Sequence, residues 1–331
     1  MAVSGESILG LQGFDADTVL AFAAMFCIAI FVANLVRVAK DDDIEFEKSL
    51  LKKKHGPTNT GIKCSFLGIS VEVKSAHTSS SYVEHAVKST YPGALDNTTL
   101  TERVKLALKK HGYNKDNTLV ATSLCCDEVN RELEKEFAKV YGDNFSMGGL
   151  AGFPFCGKTS FGAMAHHIPE DGSCLIIYGP HVGIDSTGHV GKLNRRGRNG
   201  SGACCGSATA AAGYVKGVKS GAIQPYDVPT TTDDAQQVWV SNMLLPFADR
   251  LASAKSEAAE LPLCLFSSQD ELMNKIVTSM CGEVAGNGKI ALLGGIQINT
   301  PEGEPDYFLP LNFEVKNNKG KTVESMLWVL S

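Results

Sequence analysis

The feature that most constrains the fold is a short apolar run, Cys174 to Tyr178, that leads into a turn and a histidine. The run is rich in β-branched residues and is followed by Gly179 and Pro180, which is the pattern of a buried strand ending at a turn. His181 therefore lies just beyond the carboxyl end of a predicted strand. Open α/β sheets bind their ligands at this edge, so His181 is a candidate site residue.

Apolar strand patterns alternate with helical patterns along most of the chain after residue 90. This alternation predicts an α/β fold, a mostly parallel sheet flanked by helices, with room for an antiparallel edge. The predicted strands are 117–124, 174–178, 288–299 and 307–315. The predicted helices are 99–109, 128–141, 206–218, 234–254 and 270–284.

Two vicinal cysteine pairs lie at the ends of predicted elements. Cys125 and Cys126 occupy a strand-to-helix turn, and Cys204 and Cys205 open an alanine-rich helix. Together with His181 they offer two thiolates and an imidazole, which is a ligand set that zinc accepts in catalytic sites. The alternative is that these cysteines are buried core residues, which is the common state of free cysteine.

Within each pair one cysteine is the better candidate. Cys125 places Asp127 on the same side of an extended turn, because side chains alternate along such a segment. Cys205 is preferred to Cys204 because the neighbouring Gly206 permits close approach. The candidate site is thus Cys125, His181 and Cys205, with the acid Asp127 beside it.

Residues 19–36 form an apolar run that only Asn34 interrupts. About 18 helical residues reach roughly 27 Å, enough to cross a bilayer. Arg37 and Lys40 follow at once, so the positive-inside rule places the following domain on the cytoplasmic side. The sequence predicts a single-pass membrane protein; plastid, endoplasmic reticulum and plasma membrane all fit. A buried core helix or a targeting peptide is the alternative.

The predicted organisation is a tail at 1–18, a transmembrane anchor at 19–38, a linker at 39–80 and a zinc-binding domain at 81–331. The net charge of −5 argues against bulk nucleic-acid binding, which needs a concentrated basic face. Ten cysteines in 331 residues are too few for a disulfide scaffold.

Gly152 to Thr159 matches the phosphate-loop pattern G-x-x-x-x-G-K-T. No buried strand is predicted before it, however, and its interior, Phe153 to Cys156, is bulky and includes Pro154. A proline removes one of the backbone donors that a phosphate loop needs. A P-loop nucleotidase is therefore the weaker enzyme hypothesis, and a loop that walls an apolar pocket is the preferred interpretation.

Several motifs together give a resemblance to a known family. They are Tyr91-Pro92-Gly93-Ala94-Leu95, Leu124-Cys125-x-Asp127-Glu128-Val129, His181-x-x-Ile184-Asp185, Arg195-x-Gly197-Arg198 and Ala203-Cys204-Cys205-Gly206. In this order they resemble the limiting-CO2-inducible B (LCIB-like) family of algae, also called theta carbonic anhydrases, whose members are similar to β-type carbonic anhydrases in active-site design. The match covers roughly residues 85–315.

The resemblance implies a β-carbonic-anhydrase-like fold, with Cys125, His181 and Cys205 as Zn2+ ligands and Asp127 as the acid of an Asp–Arg dyad. In ordinary β-type enzymes the arginine lies two residues after the aspartate, where this chain has Val129. Arg195, in a basic glycine-rich loop, is the preferred partner, and Arg131 is the alternative because it can reach back along a helix.

The implied function is zinc-dependent, reversible hydration of CO2 to bicarbonate in an algal carbon-concentrating system, by a membrane-anchored enzyme in a plastid or another endomembrane. Zinc lowers the pKa of a bound water to about 7 and so supplies the nucleophile. A catalytically inactive LCIB-like scaffold or bicarbonate-binding protein is the alternative, because fold membership does not guarantee turnover. The alanine-rich helix and the apolar late helices suggest a homodimer.

Overall fold

The computed structural model describes residues 62–66, 69–73 and 82–331. The first two segments form a hairpin, Ile62–Phe66 (β1) and Ile69–Val73 (β2), paired antiparallel. This hairpin falls in a unit that ends at His77, and a second compact unit spans Thr78–Ser331. The division into a tail, an anchor, a linker and a domain beginning at residue 81 stays a prediction.

The second unit alternates strands with helices. Its strands are Leu95–Asp96 (β3), Thr118–Ser123 (β4), Asn144–Ser146 (β5), Ser173–Tyr178 (β6), His181–Gly183 (β7), Lys192–Asn194 (β8), Ser201–Ala203 (β9), Lys289–Asn299 (β10), Tyr307–Asn317 (β11) and Thr322–Ser325 (β12). Its α-helices are Tyr82–Thr90 (α1), Asn97–Lys109 (α2), Arg131–Tyr141 (α3), Gly157–Ala165 (α4), Gly206–Lys219 (α5), Ala235–Leu244 (α6), Ala248–Ser253 (α7) and Glu257–Met280 (α8).

The main sheet has the order β12-β11-β10-β6-β4-β5, with β7 added to β10 and β3 to β11. The pairs β10–β6, β6–β4, β4–β5 and β10–β7 are parallel, whereas the pairs β10–β11 and β11–β12 are antiparallel. The expected mostly parallel α/β sheet with an antiparallel edge is therefore confirmed.

The strand β6 is buried on both faces, which explains its continuous apolar sequence. Alternate residues enter two different cores: Ile176 packs with residues of α4 and α8, and Leu175 and Ile177 pack with residues of α2 and α3. A third apolar cluster lies around Cys125 and Cys205 and includes residues of α5, α6 and α8. Helices thus cover both faces of the sheet and leave its carboxyl edge for the site.

The helices after residue 230 differ from the prediction. The expected helix 234–254 is divided at Pro246 into α6, a short 3-10 turn and α7. The last long helix begins at Glu257 rather than at residue 270. Ser256 caps it by accepting a hydrogen bond from Ala259 N, and the helix continues through Pro262. The first half of this helix was not predicted from the sequence, because a proline inside a helical pattern usually indicates a helix end.

The expectation of a membrane-spanning chain needs correction. Among the described residues, no helix combines the length and the apolar character that crossing a bilayer requires. The long helix α8 has 24 residues but carries Glu257, Glu260, Asp270, Glu271 and Lys275. This finding contradicts the prediction of a single-pass protein in a plastid or other endomembrane. The predicted anchor at 19–38 lies outside the described residues.

Candidate metal centre

The chain turns sharply between β6 and β7, and this turn places His181 at the edge of the sheet. Gly179 has a φ of +151°, a conformation that L side chains rarely adopt. Its backbone also lies against β10, where any Cβ would collide with the carbonyl oxygen of Gly295. The glycine therefore permits the turn, and β7 begins with a buried His181 paired in register with Gln297.

Cys125 and Cys205 reach the same point from two other elements. Cys125 follows β4 by two residues, and Cys205 is the residue before the first turn of α5. Both are buried, and their Sγ atoms lie 3.8 Å apart. One donor atom from each of Cys125, His181 and Cys205 lies within 4.8 Å of the others. The structure thus brings together all three predicted ligands.

Three observations fit this cluster to a zinc ion. The Nε2 atom of His181 is buried and has no hydrogen-bond partner among the described residues. Two sulfurs that are each about 2.3 Å from a tetrahedral zinc lie about 3.8 Å apart, which matches the Sγ–Sγ distance between Cys125 and Cys205. Thiolates and a neutral imidazole are also the donors that zinc prefers.

The two thiols are hydrogen-bonded to each other. The hydrogen bond with Cys205, and then burial, raises the pKa of Cys125 to about 12, whereas the same hydrogen bond lowers the pKa of Cys205. Burial lowers the pKa of His181, but its contacts with Cys125 and Cys204 outweigh burial and raise that pKa well above its usual value. Two thiolates side by side repel each other, so a divalent cation would displace the proton of this hydrogen bond.

Asp127 stands beside the cluster and is held by Arg195. Arg195 donates to both carboxylate oxygens, at 2.8 Å and 2.6 Å, and also to Glu128 at 2.6 Å. Asp127 Oδ2 lies 3.9 Å from His181 Nε2. Burial raises the pKa of Asp127, but the hydrogen bonds with Arg195 and Glu128 outweigh it and hold that pKa at about 2. Asp127 is therefore an ionised acceptor at neutral pH.

Arg131, the alternative dyad arginine, has other partners. It donates to the carbonyl oxygen of Cys125 at 2.7 Å and forms an ion pair with Glu134. Of the two candidates the structure places Arg195, and not Arg131, against Asp127. Their catalytic roles stay predictions.

Arg195 follows the first strand of the β8–β9 hairpin, which the sequence did not reveal. Asp185 anchors this hairpin, because its carboxylate accepts from Ser201 Oγ at 2.8 Å and from the backbone nitrogens of Thr187 and His189 at 3.0 Å. Hydrogen bonds with Thr187, His189 and Ser201 outweigh burial and lower the pKa of Asp185 to about 2. The buried carboxylate thus fixes the base of the hairpin that presents Arg195.

The glycine-rich segment that matches the phosphate-loop pattern forms an apolar wall. Phe153 is fully buried in the same cluster as Cys125 and Cys205, and its ring stacks on that of Phe155. The residues before it form a 3-10 turn rather than a strand. Gly152 lies so close to Gly179 that a Cβ would collide with its carbonyl oxygen. The backbone amides of Gly152, Phe153, Phe155 and Gly157 donate to nearby carbonyl oxygens, so they are not free to bind a phosphate.

A cavity of about 310 Å³ opens beside His181, Cys204 and Cys205. Small residues line much of it, among them Gly191, Ala208 and Ala258. Such a space admits a small, uncharged molecule.

The second cysteine of each pair has a different environment. Cys126 is exposed, whereas Cys204 is buried and its Sγ lies 3.6 Å from Nδ1 of His181. Cys204, His181 and Asp127 also form a group of close donor atoms. The choice of Cys205 over Cys204 as the ligand stays a prediction.

Comparison with known proteins identifies relatives of this architecture. The family described as "Limiting CO2-inducible proteins B/C beta carbonic anhydrases" matches residues 94–317. The crystal structure of PtLCIB4, a homolog of the limiting CO2-inducible protein LCIB, is 47% identical, covers 73% of this chain and 99% of its own, and superimposes with a TM-score of 0.69.

Two further crystal structures are similar. A histidine-to-alanine mutant of PtLCIB4 is 46% identical over 74% of this chain and 98% of its own, with a TM-score of 0.70. LCIB itself is 20% identical over 73% of this chain and 98% of its own, with a TM-score of 0.56, which shows a shared fold. No protein of curated function matches the chain.

Proposed function

Because this chain belongs to the family of limiting CO2-inducible proteins B and C, we propose that it is a zinc-dependent carbonic anhydrase that interconverts CO2 and bicarbonate. The observation that carries the proposal is the buried cluster of Cys125, His181 and Cys205, in which His181 Nε2 lacks a hydrogen-bond partner. A buried polar atom without a partner costs free energy unless an occupant satisfies it.

Cys125, His181 and Cys205 would hold the zinc ion, two as thiolates and one as a neutral imidazole. When bound with a water at its fourth position, zinc lowers the pKa of that water to about 7 and supplies a nucleophile at neutral pH. The three residues come from three separate elements that are all packed into the core, so they hold the donor atoms rigidly.

Asp127 would accept a hydrogen bond from the attacking water and so orient it. Its carboxylate is ionised and lies 3.9 Å from His181 Nε2, beside the ligand cluster. The two hydrogen bonds from Arg195 keep the carboxylate from turning into the metal position, where it would act as a ligand instead. Arg195 is thus a positioning residue for Asp127.

The surroundings suit a small uncharged substrate. Phe153 lies in the apolar cluster around the thiols, and small side chains line much of the neighbouring cavity, with Lys192 and Glu257 also in its lining. An apolar wall excludes bulk water from the cluster and admits CO2 without the cost of removing a hydration shell from a charge.

Stopped-flow CO2 hydration tests the proposal on the zinc-loaded chain. The wild type should turn over CO2. An Asp127→Asn variant keeps the shape of the side chain and the metal ligands, so it should hold zinc but lose most of the rate. Zinc-loaded wild type without turnover would sink the enzymatic proposal and leave an inactive scaffold or bicarbonate-binding protein.

We also propose that the activity serves an algal carbon-concentrating system, since the family takes its name from induction by limiting CO2. Deleting the gene in its host should slow growth in air and not in high CO2. Equal growth in both conditions would contradict this role.

A further inference from the structure

The last residue of β10, Asn299, contacts Nδ1 of the His181 ring. Asn299 is 1% exposed, and its Oδ1 lies 2.8 Å from His181 Nδ1. Its Nδ2 donates to the carbonyl oxygen of Val129 at 3.1 Å and to Asp306 Oδ2 at 3.3 Å. All the polar atoms of this amide therefore have partners inside the protein.

These partners fix which way the amide faces. A backbone carbonyl oxygen can only accept a hydrogen bond, and the same is true of an ionised carboxylate. Burial raises the pKa of Asp306 to about 6, so at pH 7.5 this group is a carboxylate. The NH2 group of Asn299 must then face Val129 and Asp306, which leaves its oxygen facing His181.

The orientation of the amide decides the chemistry of the ring. Since Asn299 Oδ1 can only accept, His181 Nδ1 must carry a hydrogen and donate it. Cys204 Sγ also lies near this nitrogen, but at 3.6 Å against 2.8 Å for the amide oxygen. In a neutral imidazole the lone pair is then on Nε2, the atom that has no hydrogen-bond partner and that lies 3.9 Å from Asp127 Oδ2.

We propose that Asn299 is a positioning residue that holds His181 with its hydrogen on Nδ1 and its lone pair on Nε2 aimed at the metal position. Asp306 and the Val129 carbonyl hold Asn299 in turn. The inference rests on the proposed zinc site and deepens it, because a ligand histidine gains orientation and basicity from the partner of its other nitrogen.

The test uses the full chain, loaded with zinc at pH 7.5, in which histidine is labelled with 15N. Long-range 1H–15N correlation spectra report which ring nitrogen of His181 carries the hydrogen. The wild type should show it on Nδ1. An Asn299→Leu variant removes the acceptor at similar size, so it should lose this fixed pattern before zinc is added, and it should bind zinc about 10- to 100-fold more weakly in chelator competition.

Asn312→Leu is the matched control, because Asn312 is also an inward amide next to the sheet but contacts Tyr178 and Asp270 instead of His181. It should keep both the ring pattern and the zinc affinity. An Asn299→Leu variant with wild-type affinity and ring pattern would overturn the proposal, as would a wild-type spectrum with the hydrogen absent from Nδ1.

If Asn299→Leu fails to fold, the wild-type spectrum alone can still overturn the proposal, because a hydrogen absent from Nδ1 contradicts it. The two proposals also fail separately. A wild-type chain that holds no zinc would refute the proposed function, while the spectrum of that folded, metal-free chain, recorded at a pH at which the ring is neutral, still shows whether Nδ1 carries the hydrogen that faces Asn299.

Discussion

Two buried polar clusters lie at the end of β6, and they differ in completeness. In one, Tyr178 donates to Asp270 at 2.5 Å, and Asn312 donates to Tyr178 and to Asp270. In the other, three residues further along the chain, His181 presents an Nε2 atom without a partner to two thiols. The first cluster satisfies itself, whereas the second is complete only with an occupant. Other buried polar atoms of the described residues, such as those of the Gln297 amide, also lack partners, so it is the closeness of Cys125 and Cys205 to His181 that marks the second cluster as a binding site.

The largest expected effect follows from removing a thiol of the incomplete cluster. Cys125→Ala and Cys205→Ala should each abolish stoichiometric zinc, because two protein ligands do not hold the ion in competition with water. The control is Cys174→Ala, which removes a fully buried thiol within β6 that belongs to no group of candidate ligands. Zinc content is measured by metal analysis after gel filtration. If all three variants kept their zinc, Cys125 and Cys205 would not be ligands.

The next effect separates holding the metal from using it. Asp127→Ala should retain zinc but lower the rate of CO2 hydration about 100- to 1,000-fold, the usual cost of removing a hydrogen-bonding group that is fixed against the reacting atoms. Arg195→Ala should lower the rate as well, because the freed carboxylate can then turn toward the metal position. Arg131→Ala is the control for losing an arginine near the site. If Arg131→Ala proved as damaging as Arg195→Ala, the pairing seen here would not be the functional one.

In the cluster of Tyr178, Asp270 and Asn312, removing one polar group should lower stability and leave zinc binding unchanged. Tyr178→Phe leaves Asp270 without its shortest hydrogen bond and should lower the free energy of unfolding by about 1–3 kcal/mol. Zinc content should not change. Urea unfolding combined with metal analysis checks both; a loss of zinc would show that the two clusters are not independent.

The smallest expected effect is the pH dependence of the stability that Asp185 contributes. Asp185 has a pKa of about 2 in the folded chain, against about 3.9 when unfolded. A lowered folded pKa contributes stability that is fully present above the unfolded value and is lost as the pH falls through the folded value. The difference in unfolding free energy between wild type and Asp185→Asn should therefore be constant above about pH 5 and shrink toward pH 2. Urea titrations of the metal-free chain would contradict this if the difference grew in acid.

The sequence predicted the sheet well because its strands are buried on both faces and their apolar runs are unbroken. The positions of Cys125 and His181 follow from the same signal, since both come just after such a run. The β8–β9 hairpin was missed because its strands have three residues each and little apolar pattern. Without it, the contact between Arg195 and Asp127 rested on family resemblance.

Asn299 left a sequence signal that could have been used. It is a polar residue at the carboxyl end of a predicted apolar strand, as His181 is beyond β6. Its partner Asp306 gave no such signal, because it lies in a loop and meets Asn299 only after β10 and β11 pair. Contacts that depend on the packing of distant elements are not encoded in local periodicity.

Anomalous diffraction at the zinc edge, from crystals of the zinc-loaded protein, tests the central claim most directly. The account predicts a strong peak about 2.3 Å from the sulfurs of Cys125 and Cys205 and about 2.0 Å from Nε2 of His181. A map with no peak between these three atoms, or with zinc bound only elsewhere on the chain, would contradict it.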